Sequence, residues 1–174
     1  MADNYNDNFK IGYDKQDTHD TFDGIKLNSH ERIKTYLCGT IIELKNNYAR
    51  VSLATNSDMA LDEHGLVHSG FIFSAADYAA HVAINKENTV LISANTKFYA
   101  PIKVGDIAIF EAIAKYEDSR KREVLVKANI NDIKIFEGTF ITVTLDEHAL
   151  KKRTEYRKRK KQEEPSTEET DSKS

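Results

Sequence analysis

One acidic residue stands where acids are seldom found. Ser69–Ile84 reads SGFIFSAADYAAHVAI, small and apolar residues with Asp77 in their midst. A carboxylate in such surroundings is costly to bury unless something pairs with it. Burial also pushes a carboxyl toward the range in which it serves as a base or nucleophile. His81 follows one helical turn later and is placed to pair with Asp77. Gly70 lies two turns before Asp77 and therefore on the same side of a helix. A helix that opens with Ser69–Gly70 presents unpaired N–H groups and the positive end of its dipole. Gly70 has no side chain to obstruct a ligand. This arrangement suits a carbonyl oxygen that becomes an oxyanion during acyl transfer. Just ahead stand Asp62, His64 and His68. His68 reads first as a loop-to-helix residue and second as a general base. The spacing of His64, His68, Asp77 and His81 matches no metal signature, so no metal is expected.

The elements that must position these residues follow from periodicity. In Ser69–Ile84 the apolar residues Phe71, Ile72, Ala75, Ala76, Ala79, Val82 and Ala83 fall at helical spacing. They cover more than one stripe, which predicts a helix buried on most sides. Before it, Thr35–Leu44 and Tyr48–Thr55 read as a hairpin turning at Lys45–Asn47, with Gly39 suggesting a bulge. After Asn85–Asn88 come four strand candidates, Thr89–Tyr99, Asp106–Tyr116, Glu123–Asn131 and Lys134–Leu145, separated by turns at Lys103–Gly105, Glu117–Arg122 and Asn131–Asp132. Two strands, a helix and four strands predict an α+β domain with an antiparallel sheet wrapped around one long central helix. Cys38, in the first strand candidate, reads as a small buried hydrophobe.

The string Gly65–Asp77, GLVHSGFIFSAAD, resembles the PaaI-like acyl-CoA thioesterases of the hotdog superfamily. That family's pattern is a Gly, then His-Gly-Gly, an acid nine residues after the His, a strand, and a Pro-x-x-x-Gly-Asp/Glu step. Asp77 occupies the acid's place, and Pro101 to Gly105–Asp106 the final step. The resemblance runs over roughly residues 36–144. It implies a hotdog fold in which two protomers join their sheets edge to edge. Two sites would then lie at the interface, with stacking of dimers into a tetramer or hexamer left open. Gly70 N–H would polarise the thioester carbonyl, and Asp77 from the other protomer would activate water or attack directly. Ser69, Phe71, Ser93, Asn95 and Lys97 would meet substrate: Ser93 and Asn95 as water-orienting candidates, Lys97 and Lys103 toward the nucleotide. Phe71, Phe73 and Phe98 would limit the acyl tunnel. Two positions depart from the pattern. Ser69 replaces the middle Gly and could cap the helix. Asp62 stands where catalytic members commonly have Asn, and a second carboxylate near an oxyanion repels it unless protonated.

Composition bounds the rest. The chain has 174 residues, a formal net charge of -3 and a single cysteine, Cys38. Near-neutral charge gives no reason to expect nucleic acid as a partner. A lone cysteine excludes an internal disulfide and fits a reducing compartment. No apolar run is long enough for a membrane span, and the Asn- and Asp-rich start has no secretory character. A cytoplasmic protein is expected, with no cofactor and with coenzyme A entering only as part of a substrate or ligand. Residues 1–30 read as a polar arm, 31–146 as the hotdog domain, and 147–174 as a charged helix and tail. Lys151–Lys161 carries eight bases and one acid, and Gln162–Ser174 five acids and one lysine. The first piece reads as a solvated helix begun at Asp146, with an anionic partner as its functional alternative; the second reads as disordered. Two functions follow: an acyl-CoA thioesterase, or a non-catalytic acyl-CoA-binding protein with the ligand as signal. Some hotdog domains do the latter, notably the effector domain of a bacterial fatty-acid regulator. Its DNA-binding helix-turn-helix has no counterpart in residues 1–30. A scaffold that binds through its charged tail is a third reading.

Overall fold

The computed structural model describes residues 21–30, 32–115 and 119–163. In chain order its elements are β1 (Thr21–Phe22), β2 (Ile25–Lys26), α1 (Thr35–Cys38), β3 (Thr40–Lys45), β4 (Tyr48–Ala54), α2 (Ser69–Ile84), β5 (Thr89–Phe98), β6 (Ile107–Ala114), β7 (Lys121–Ile130), β8 (Ile133–Thr144) and α3 (Ala149–Glu163). A single 3-10 turn spans Ser57–Met59. Strands β1 and β2 pair only with each other, while the other six form one antiparallel sheet in the order β3-β4-β6-β7-β8-β5. Hairpins link β3 to β4, β6 to β7 and β7 to β8. Helix α2 carries the chain from β4 across the sheet to β5 at the far edge. This is the expected α+β architecture, a sheet wrapped on one central helix.

Strand alternation determines which face meets the helix. Ala49, Val51 and Leu53 of β4, Ala108, Phe110 and Ala112 of β6, and Val124, Val126 and Ala128 of β7 are buried beneath α2. The helix answers with Ala75, Ala76, Ala79, Ala80 and Ala83, all buried. Methyl side chains let its backbone lie close to the strands, and Tyr78, Phe110, Phe136 and Phe140 supply the bulk. The predicted helix bounds, Ser69 to Ile84, are those observed. Asn85 closes the helix in the left-handed region, its N–H donating to the His81 carbonyl.

Three features differ from the sequence reading. Thr35–Cys38 is a helical turn, not the start of a strand, and Cys38 is only half-buried, its Sγ 3.2 Å from Ser74 Oγ. The turn is anchored by Asn56, whose Nδ2 donates to the Tyr36 carbonyl. The bulge expected at Gly39 lies instead between Ile41 and Glu43. Gly39 has another role: it leaves the turn at φ 94° with its α-carbon pressed on β4. A β-carbon there would lie 2.5 Å from Val51 Cγ1 and 2.9 Å from the Ser52 carbonyl oxygen. Gly39→Ala should therefore destabilise the fold by about 1–3 kcal/mol, read as a lower urea midpoint at unchanged slope.

Residues 21–30 pack against the domain. Leu27 and Ser29 are buried, Asn28 N–H donates to Asn85 Oδ1, and Asn85 Nδ2 donates to the Lys26 carbonyl. This segment is thus strapped to the C-terminal end of α2. Helix α3 begins at Ala149, three residues after the expected Asp146, and residues 149–160 are exposed apart from a half-covered Ala149. Residues 164–174, most of the segment expected to be disordered, lie outside the described residues, as do residues 1–20. Among the described residues no helix is long and apolar enough to cross a membrane.

Candidate functional site

The start of α2 is held by a braid of backbone hydrogen bonds. Val67 N–H donates to the Ile102 carbonyl, His68 N–H to Met59, and Val104 N–H to Gly65. Gly65 and Gly105 both take positive φ, 79° and 98°, which lets the two loops approach. Asp106 Oδ2 accepts from Lys103 N–H and closes the turn after Pro101. Asp62 Oδ1 accepts from His64 N–H at 3.0 Å and Leu66 N–H at 3.1 Å. Asp62 is therefore a loop-shaping acceptor, an exposed carboxylate turned onto its own loop's N–H groups.

His68 caps the helix. Its Nδ1 accepts from Gly70 N–H at 2.9 Å, so the ring nitrogen facing Gly70 carries no proton. A β-carbon on residue 70 would lie 2.7 Å from that nitrogen, which is why glycine is needed beneath the ring. Ser69 is exposed and does not cap; Phe71 is half-buried, edge-on to His68 with ring centroids 6.3 Å apart.

Asp77 stands two turns along, roughly 10 Å from Gly70 by helix rise. Its side chain is 29% exposed, while His81 beside it is 4% exposed. His81 Nδ1 lies 2.9 Å from the Asp77 carbonyl oxygen and 3.2 Å from Oδ1. Burial opposes charge on His81, but the hydrogen bond and charge of Asp77 together hold its pKa above that of an ordinary histidine. A third group completes the cluster: the ring of His30, 4.7 Å from that of His81 and 5.8 Å from Tyr78. Burial, reinforced by the neighbouring His81, lowers the His30 pKa to about 4 against a slight pull from Asp77.

Linkage gives His30 a measurable signature. The unfolded chain binds a proton on this ring near pH 6.5, whereas the folded chain refuses it until pH is about 4. The stabilising contribution is complete above pH 6.5 and is lost as pH falls through that window. At about 1.4 kcal/mol per pH unit it amounts to up to about 3 kcal/mol. His81 acts in the opposite sense, its contribution being full below pH 6.5 and lost above its raised folded pKa. Urea unfolding between pH 7 and pH 4 should show a shallower loss of stability in His30→Phe than in wild type. Equal slopes would mean that His30 is not held neutral.

Strand β5 holds the remaining site residues, and a bulge decides which way they face. The register to β8 shifts between Leu91 and Ser93. Ala94, Thr96 and Phe98 pair with Phe140, Gly138 and Phe136, whose face packs on α2. Thr96 Cγ2 would lie 2.9 Å from a β-carbon on Gly138, which puts Thr96 on that inner face. Ser93, Asn95 and Lys97 pair with Ile141, Thr139 and Glu137 and so lie on the outer face, away from Gly70 and Asp77. Thr96 is thus a polar residue of this strand turned toward the helix side beyond the bulge.

An open groove of about 370 Å³ runs beside the start of α2. Ser69 lines it, with Leu61, Leu66, Ile72, Phe98, Tyr99 and Ile102 among its other walls. Apart from Ser69 and Phe98 these escaped sequence reasoning; Leu61 and Leu66, flanking the polar Asp62–Gly65 step, were the available signal. Among the described residues no three His, Cys, Asp or Glu side chains converge as metal ligands.

The chain is similar to several known proteins. The family model described as "Thioesterase superfamily" matches residues 64–130. A methylthioribose-1-phosphate isomerase of Aquifex aeolicus is 44% identical over 119 residues, 68% of this chain but only 26% of that protein. The transcription factor FapR of a Thermoanaerobacter species is 31% identical over 70% of this chain and 61% of its own length. This chain therefore spans less than two thirds of either relative. The crystal structure of a sigma28-regulated virulence protein from Campylobacter jejuni is 45% identical, with TM-score 0.70 over 71% of this chain and 88% of that one. Fold alone is shared with the PaaI protein of E. coli (21% identity, TM-score 0.58, 64% and 83% covered). The same holds for a hypothetical thioesterase of Streptococcus pneumoniae solved with coenzyme A (13%, TM-score 0.56, 63% and 88%).

Proposed function

This chain belongs to the thioesterase superfamily of hotdog proteins, and on that premise we propose that it hydrolyses an acyl-CoA thioester at a site shared by two copies. The observation that carries this reading is the placement of Asp77 and Gly70 on one face of α2, a helix whose first turn lines an apolar groove through Ser69 and Ile72. Seven residues of helix separate the two by roughly 10 Å, too far for both to act on one carbonyl. A two-fold partner, running its helix antiparallel, brings Asp77 of one copy to Gly70 of the other. Edge strand β5 suits that pairing: one side of its ladder is unpaired, and Ile92, Phe98 and Tyr99 are exposed on or beside it.

In this scheme the acyl chain lies in the groove and the thioester carbonyl points at the start of α2. Asp77 takes a proton from water as the water oxygen bonds to the carbonyl carbon. Negative charge builds on the carbonyl oxygen, toward the Gly70 N–H and the helix dipole. The C–S bond then breaks, and the thiolate recovers the proton from Asp77. His68 must release the Gly70 N–H for this to happen.

That last requirement favours a second reading, acyl-CoA binding without turnover, in which His68 keeps the N–H and the ligand is a signal. The similarity to a transcription factor supports it. Thiol release from short, medium, long and aryl acyl-CoAs separates the two. Release supports the thioesterase, while saturable binding with no release supports the sensor. Light scattering at micromolar concentration should show at least a dimer, and a monomer alone would contradict the shared site.

A further inference from the structure

Three buried side-chain polar atoms among the described residues make no well-formed hydrogen bond: Ser29 Oγ, His30 Nδ1 and Asp77 Oδ1, the last in ion-pair contact with His81 Nδ1 at 3.2 Å. Such orphans are rare in folded proteins. These three are not scattered. Ser29 and His30 are consecutive on the strap that Asn85 ties to the end of α2, and the His30 ring meets that of His81. His81 in turn pairs with Asp77. His30 also takes a positive φ of 59°, a backbone conformation that is strained for most side chains. Unpaired polar atoms gathered at one spot call for an explanation.

We propose that His81, seated against His30, is a positioning residue for Asp77: it pins carboxylate Oδ1 inside the domain so that the rest of the carboxylate is presented to substrate. The inference rests on the reading of Asp77 as the catalytic base. Oδ1 is buried against His81, yet the side chain remains 29% exposed, so its exposure lies on its other atoms. His81 lies in the last turn of α2, where the helix dipole favours a cation. The titratable groups that meet it are Asp77 on its own helix and His30 on the strap. The strands beneath α2 present Ala108, Phe110, Ala112, Val124 and Val126, which are apolar. Two imidazoles with centroids 4.7 Å apart do not both carry charge, so the proton sits on His81 and His30 stays neutral. The resulting pair holds the Asp77 carboxylate in one orientation against His81 Nδ1. Above the His81 pKa that partner charge is lost, which gives the base an alkaline limb that a lone carboxylate does not have.

His81→Gln keeps a donor and removes the charge. It should lower kcat roughly tenfold, a share of the ~10²–10⁴ that a positioned acid–base group supplies, with KM changed less than about twofold. The alkaline limb of the kcat profile should disappear. Wild-type kcat with both limbs intact overturns the proposal. An NMR titration of the histidine rings tests the same pair without turnover or any change at position 81. His81 should titrate above the ordinary histidine value in wild type and fall in Asp77→Asn; an unmoved midpoint overturns the pairing. If the titration behaves as expected but the wild type releases no thiol, the pairing stands and it is the thioesterase reading that fails.

Discussion

Asp77→Asn should reduce acyl-CoA turnover at saturating substrate by about 10²–10⁴-fold while leaving KM within a few-fold of wild type. Asparagine keeps the shape of the side chain and its carbonyl oxygen, so the contact with His81 persists sterically and the helix is undisturbed. It cannot accept a proton from water. A merely structural role would instead appear as a lowered melting temperature with turnover per folded molecule preserved. The geometry adds a second test. Gly70 and Asp77 of one helix are roughly 10 Å apart, so the proposed shared site draws one of them from each copy. Gly70→Val crowds the start of the helix, where a β-carbon already meets His68 Nδ1 at 2.7 Å. Mixing Asp77→Asn with Gly70→Val, each inactive alone, should regenerate one intact site in each mixed dimer. Equal amounts with free exchange would give about a quarter of wild-type turnover. No recovery after demonstrated exchange would return the site to a single copy.

Phe136→Ala should lower the unfolding free energy by about 3–5 kcal/mol. Phe136 is fully buried and joins three elements, its ring 5.1 Å from Phe98 of β5 and 6.4 Å from both Phe110 of β6 and Phe140 of its own strand. Its loss leaves a cavity that flanking strands, fixed by their ladders, cannot fill. Against a typical total of 5–15 kcal/mol this is a large fraction. Function should follow, since Phe98 lines the groove: acyl-CoA affinity should fall even where the variant stays folded. A loss below about 1 kcal/mol by urea unfolding would mean that β5 and α2 collapse into the space.

Helix α2 was legible because its composition leaves little choice. Sixteen residues without proline, apolar at helical spacing on several sides, form a buried helix, and their neighbours at i+4 and i+7 are set by helix geometry alone. Hence Gly70, Asp77 and His81 could be related to one another before any fold was known. The same holds for turns with local chemistry, such as Asn131–Asp132 between β7 and β8, where Asn131 takes a positive φ. Strand faces were less secure. A bulge adds one residue and reverses every side chain after it, and the bulges at Ile42 and Ile92 have no residue type that announces them. The bulge at Ile92 is why Ser93 and Asn95 face away from α2 and Thr96 toward it.

The sequence by itself determined the class of fold, the helix at its centre and the line of polar groups along that helix, because each depends on neighbours a few residues apart. Only the tertiary structure decided what those groups meet. His30 is 51 residues from His81 in the chain, and nothing local in Asn28–Ser29–His30 marks it as the ring that packs there. Closure of the Leu61–Leu66 loop onto Phe98–Ile102, which makes the groove, is likewise a contact between distant segments. Long-range contacts of this kind arise from the packing of the whole core, which residue spacing does not encode.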